Sequence, residues 1–143
     1  MKIKDPFHRK RVLVSKEFTF DAAHKLNDYE GACNRLHGHT YKLVVGLSGL
    51  TNRMGMVIDF KDLKMIWESK IKNHLDHQYL NETLPEMNTT AENMVLWLFR
   101  RFEYELTDYI NNTVGATSQS LQMEFIRLYE TPTSYAELRR EWL

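Results

Sequence analysis

The apolar residues of this 143-residue chain change period twice, and that order limits what the chain can fold into. Val12 to Ala23, VLVSKEFTFDAA, contains a period-two stretch at Phe18, Phe20 and Ala22, the mark of a half-buried strand. Asn27 to Gly31 supply turn chemistry, and HTYKLVVGLSGL, from about His39 to Leu50, reads as a second strand. TNRMG then breaks the pattern, and the apolar piece Met56 to Ile58 leads to Asp59 as an N-cap. Phe60, Leu63, Ile66, Trp67 and Ile71 recur at helical spacing and predict a helix to about Leu75. NETLPEMN is a loop, after which Thr89 or Thr90 caps a second helix whose stripe is Val95, Leu98, Phe99, Phe102 and Leu106. Beyond the connector NNTVGATS, Leu121, Met123 and Phe125 alternate again as a third strand, and YAEL after TPTS forms a short fourth.

Strand, strand, helix, helix, strand, strand predicts one α+β domain over residues 1–143: an antiparallel four-stranded sheet with two helices on one face. Such a sheet has two edges that must be blunted or paired. Edge-to-edge closure between subunits does this, so a homo-oligomer is expected.

Composition narrows the function classes. A single cysteine excludes an intrachain disulfide framework and favours a reducing compartment. Lys and Arg number 19 and Asp and Glu 19, so no basic excess points to nucleic acid. The one basic run, His8 to Arg11, reads as part of a solvated N-terminal arm covering about residues 1–11. No apolar stretch approaches the ~20 residues of a bilayer span, and the charged N-terminus has no apolar signal-peptide core. The expectation is a soluble cytoplasmic domain that binds neither nucleic acid nor membrane.

The chemistry concentrates in ACNRLHGHTY, Ala32 to Tyr41. His37 and His39, at i and i+2 on an extended chain, share one face. His24 ends the first strand where this pair begins the second, so an antiparallel hairpin brings the three together. Three histidines with an open position suit a catalytic zinc, whereas Cys33 added as a fourth ligand makes a closed structural one. The pair can also be ordinary strand polarity. Spacing alone leaves these readings open.

FTFDAAH, CNRLHGHTYKLVV, GMVIDFKDLK, LDHQYLN, TAEN and YETPTSYAE, in this order and spacing, resemble the 6-pyruvoyltetrahydropterin synthase superfamily from about Val12 onward. The Cys-x-x-x-His-x-His spacing, with Arg35 and Leu36 inside it, is most similar to the bacterial branch, the 6-carboxytetrahydropterin synthases of the queuosine pathway. The biopterin-forming branch typically has a longer gap. The resemblance implies a T-fold, ββααββ, whose subunits assemble side by side into barrels, typically a hexamer of two trimers with interfacial active sites. It implies Zn2+ on His24, His37 and His39, Cys33 as a proton-transfer residue, Asp76 and His77 as an acid–base pair, and Glu130 as the carboxylate that anchors the pterin. Because neighbours on a helix do not face each other, Asp76 and His77 are expected beyond the helix end, or Asp76 orients a group on another segment.

The implied reaction converts 7,8-dihydroneopterin triphosphate to 6-carboxy-5,6,7,8-tetrahydropterin with release of triphosphate and acetaldehyde. No nicotinamide is needed, and the chain has no G-x-G-x-x-G. Lys25 and Arg35, near the ligands in sequence, are candidates for the triphosphate, and Thr90 combines capping with a role at the pterin. Two alternatives stand beside this reading. One is 6-pyruvoyltetrahydropterin formation, which stops before carbon–carbon cleavage. The other is a non-catalytic pterin- or zinc-binding module.

Overall fold

Two long strands organise the molecule. A computed structural model of the chain describes residues 10–26, 35–113 and 117–143. Strand β1 (Arg11–His24) and strand β2 (His37–Leu50) pair antiparallel without a break, from Arg11↔Leu50 to His24↔His37. Each is 14 residues long, well beyond the usual five or six. β4 (Gln122–Thr131) lies antiparallel on the far side of β2, and β5 (Ser134–Arg139) pairs antiparallel with β4.

Between the strand pairs run the helices. Asp59 caps α1 (Phe60–Ile66) by accepting the Lys61 N–H, as its position before the apolar stripe predicts. The coil then widens to a π-helical turn over Trp67–Ile71 and tightens to a 3-10 turn over Lys72–His74. The widening keeps both Trp67 and Ile71 buried, and Trp67 stacks on Phe18 of β1 at 5.0 Å between ring centres. A short α2 (Leu80–Thr83) precedes α3 (Ala91–Asn111), which buries Met94, Val95, Leu98, Phe99, Phe102 and Leu106 on the sheet.

The sheet carries one strand more than its periodicity announces. Gln78–Tyr79 form β3, parallel to Ala22 and Ala23 of β1, giving the order β3-β1-β2-β4-β5. Two residues are too few to show a period, and the pairing arises because the chain reverses at His77 (φ 58) just past the last helical turn. β3 covers only the end of β1. The rest of β1 and the outer side of β5 have no strand neighbour among the described residues.

Alternation along the strands separates two faces. Phe18, Phe20, Ala22, Tyr41, Leu43, Val45 and Leu47 meet the helices, with Phe20 stacked on Tyr41 at 4.8 Å. The opposite face is charged and aromatic. There Arg127 and Arg139 both hold Glu137, at 2.7 and 3.0 Å, while Lys42 sits over the Tyr129 ring and Arg127 over that of Tyr135. Gly46, on this same face, lies beneath the Phe125 ring, where a Cβ would stand 2.1 Å from Cε1.

Two consequences are measurable. Gly46→Val forces the Phe125 ring off the sheet, so the urea midpoint should fall by an amount equivalent to about 1–3 kcal/mol. Burial alone would raise the Glu137 carboxyl, but the hydrogen bonds from Arg127 and Arg139 outweigh it and hold the group below the ordinary range. That stabilisation is present above the ordinary carboxyl value of about 4.3 and is lost as pH falls through the lowered one. The gap in urea midpoint between the native chain and Glu137→Gln should therefore be full at pH 7 and shrink below about pH 4.

Candidate metal centre and acid–base pair

His24 and His37 form the last pair of the β1–β2 ladder, and His39 lies opposite Ala22. Residues paired across an antiparallel ladder share a face, and so do residues two apart. The three imidazoles therefore project on the helix-covered side, at the end of the row that begins with Phe18 and Phe20. Their ring centres are 4.5, 5.2 and 4.8 Å apart, and one ligand atom from each lies within 4.8 Å of the others.

The ring nitrogens are set by backbone carbonyls. His24 Nδ1 lies 2.8 Å from the Thr89 carbonyl, and His37 Nδ1 lies 2.7 Å from the Arg35 carbonyl. A carbonyl only accepts, so each Nδ1 carries its proton and each Nε2 presents a lone pair. Those two Nε2 atoms are 3.0 Å apart. Two lone pairs facing each other at that distance repel, and a metal cation or a shared proton between them resolves the conflict with both carbonyl contacts kept. His39 Nε2 is also buried, with no hydrogen-bond partner among the described residues. This donor set could hold a metal ion, and the Nδ1–H groups of His24 and His37 are held from outside, as ligating histidines normally are.

Glu130, near the end of β4, places Oε1 3.6 Å from His39 Nε2, beyond a hydrogen bond but beside the centre. Behind it a cleft opens between the start of α3 and β5, lined by Ala91, Glu92, Ser134, Tyr135 and Ala136. Thr90 is the N-cap of α3 and accepts the Asn93 N–H at 3.1 Å, while Thr89 is fully buried against His24. Lys25 and Arg35 flank the histidine strand ends, both exposed. Cys33 lies outside the described residues.

Asp76 and His77 stand beyond the helix end, as adjacency requires, and they do meet: His77 Nδ1 is 3.1 Å from Asp76 Oδ2. The left-handed backbone at His77 makes this contact, a conformation uncommon outside glycine and often found at functional sites. Asp21 fixes the turn from both sides. Its N–H donates to Asp76 Oδ1 at 3.0 Å, and its carbonyl accepts the His77 N–H at 2.6 Å. Burial acts to raise the Asp76 carboxyl, yet the Asp21 N–H and His77 prevail and hold it below the usual range. The Asp21 carboxylate takes the Thr40 hydroxyl and lies within 4.8 Å of the Asp76 and His77 ligand atoms.

Asp21 and Thr40 are on the face opposite to His24 and His39. The chain thus brings the three histidines and Glu130 together on one side of the sheet and gathers Asp76 and His77 on the other. Sequence reasoning missed Thr89 and Asp21, whose parts are played largely by backbone atoms, and Asn81, whose side chain pairs with the Lys25 backbone. Tyr41 has no role beyond the strand in its sequence pattern, yet its hydroxyl is a buried polar atom next to His39 without a hydrogen-bond partner among the described residues.

Burial lowers both His24 and His39 from the ordinary imidazole value, against the opposing pull of Glu130 on each. Neutral rings are thereby ready to ligate. The lowered groups contribute stability fully above about pH 6.5 and lose it as pH falls through their folded values, because the unfolded chain then binds more protons. The metal-free chain should lose urea resistance between about pH 6.5 and 5, and His24→Gln should flatten that slope.

A family model described as 6-pyruvoyl tetrahydropterin synthase matches residues 13–141. The 6-carboxy-5,6,7,8-tetrahydropterin synthase of Haemophilus influenzae is 39% identical over 136 residues, covering 87% of this chain and 96% of that one. The protein of the same name from Synechocystis is 42% identical over 96 residues, 64% of this chain and 74% of its own. Among solved structures, 6-pyruvoyl tetrahydropterin synthase of Caenorhabditis elegans superposes with a TM-score of 0.74 over 93% of this chain and 98% of that one at 23% identity. The Plasmodium vivax protein gives 0.72 over 92% and 98% at 21%. The fold is that of these T-fold proteins, and the chain belongs to the 6-pyruvoyl tetrahydropterin synthase family.

Proposed function

We propose that this member of the family converts 7,8-dihydroneopterin triphosphate to 6-carboxy-5,6,7,8-tetrahydropterin, releasing triphosphate and acetaldehyde, as a cytoplasmic step early in queuosine biosynthesis. The identity to two proteins of that name supports the product. The observation that carries the chemistry is the convergence of three imidazoles, with the Nε2 atoms of His24 and His37 facing each other, beside Glu130.

An all-imidazole set of three fits zinc, and His24, His37 and His39 would hold it. Bound there, zinc would supply Lewis acidity toward substrate hydroxyls. Everything else falls to the chain. Glu130, acceptor-only when ionised, takes the paired N–H donors of the pterin amide and amino group and so seats the ring beside the centre. Thr90 adds a polar contact at the same helix end. Lys25 and Arg35 offer positive charge to the triphosphate. Cys33 and His77 move protons, with Asp76 orienting the imidazole at Nδ1 and leaving Nε2 as the exchanging nitrogen.

Opposite faces of one sheet cannot both touch one small substrate, so His77 of one copy serves the histidine centre of another. The largely unpaired edge of β1 and the open edge of β5 provide the joint, and closure into a homohexamer of two trimers removes these edges.

Zinc-loaded protein should turn over 7,8-dihydroneopterin triphosphate to the carboxy product and acetaldehyde. Cys33→Ala and His77→Ala should each lower kcat by about 10²–10⁴-fold with zinc retained. Pyruvoyl product without acetaldehyde moves the chain to the other branch, and loss of zinc from Cys33→Ala means a closed structural site. Co-assembly of inactive His77→Ala and His39→Ala copies should recover activity if the site is shared between copies, and should not if each chain is self-sufficient.

A further inference from the structure

We propose that Asn81 is a positioning residue of the histidine centre, acting through Thr89 to fix which nitrogen of His24 faces the metal. The proposal rests on the metal-centre reading above. Asn81 opens its amide to the backbone just past His24: Oδ1 accepts the Lys25 N–H at 2.9 Å, and Nδ2 donates to the Lys25 carbonyl at 2.7 Å. This reciprocal pair imitates one rung of a β-ladder and leaves the amide no freedom to flip, since a flip would set donor against donor. Oδ1 therefore has a fixed place, and it receives a second donor there, the Thr89 hydroxyl, at 3.4 Å.

That second contact sets a direction. Thr89 Oγ1 also lies 3.2 Å from His24 Nδ1, inside a fully buried neighbourhood. A hydroxyl has one proton. With that proton turned toward Asn81 Oδ1, the oxygen can only accept from Nδ1. Two acceptors then face Nδ1, the Thr89 carbonyl and its hydroxyl oxygen, and both demand Nδ1–H. His24 Nε2 is left as a lone pair for the metal. Without Asn81 the hydroxyl is free to turn and donate to Nδ1. That donation competes with the Thr89 carbonyl and shifts part of the population to the Nε2–H tautomer, which cannot ligate at Nε2.

The test reads the His24 tautomer by 15N-resolved NMR of metal-free protein at pH 8, and zinc affinity by chelator competition. The native chain should show Nδ1–H. Asn81→Ala should give a mixture of tautomers and weaken zinc about 10-fold or more, within the range usual for outer partners of a ligating histidine. Adding Thr89→Val, which removes the misdirected hydroxyl but keeps the carbonyl, should restore both tautomer and affinity. Asn81→Asp, which keeps an acceptor toward Thr89 and loses the donor to Lys25, should retain both.

A folded Asn81→Ala chain with unchanged tautomer, or no rescue by Thr89→Val, overturns the proposal. So does loss of the tautomer in Asn81→Asp, which would assign the effect to the Lys25 backbone contact instead, and this variant serves even if Asn81→Ala does not fold. Native protein that binds no zinc refutes the metal centre itself, while the tautomer readout still judges Asn81.

Discussion

The unbroken pairing of β1 with β2 is the constraint on which the rest depends. His24 and His37 meet only because the ladder keeps register from Arg11↔Leu50 to its last pair. A slip of one residue in either strand would turn its whole row of side chains to the other face. It would carry Phe18, Phe20 and Ala22, or Tyr41, Leu43, Val45 and Leu47, out of the core along with the histidines. Fully burying such a side chain is worth roughly 1.5–3 kcal/mol, so the apolar half of each strand enforces the position of the polar end. The centre borrows its precision from the hydrophobic core.

The same alternation assigns the second cluster to the other face. Asp21 lies between Phe20 and Ala22, so its side chain must point away from the helices, toward Thr40 and His77. Its backbone, meanwhile, is at the sheet edge, where N–H and C=O are available to hold the Asp76–His77 turn. One edge residue thus blunts part of an exposed strand and anchors an acid–base pair. The division of polar groups between faces follows from the period of a strand.

What could be read in the sequence was whatever repeats or whatever a side chain does alone. Period two revealed the first long strand, the i, i+2 spacing revealed the shared face of His37 and His39, and Asp59 announced α1. The resemblance, rather than any pattern, supplied Glu130, Asp76 and His77. What stayed hidden was work done by main-chain atoms or across long separations. The Thr89 carbonyl on His24 spans 65 residues and uses an atom every residue has. The widened turn at Trp67 leaves the apolar spacing intact while changing the coil. His77 adopts a positive φ without being glycine, so no turn signal marks it, and β3 follows from that turn.

The polar end of the core carries an energetic penalty that explains its function. His39 Nε2 and the Tyr41 hydroxyl are buried without hydrogen-bond partners among the described residues, and the Nε2 atoms of His24 and His37 face each other at 3.0 Å. A buried unsatisfied group costs about 1–3 kcal/mol, and a core evolved for stability alone would replace these residues with apolar ones at little loss. A cation accepted by all three histidines removes the conflict at once, without rearrangement of the chain. A cation bound by the folded chain would add its binding energy to folding stability.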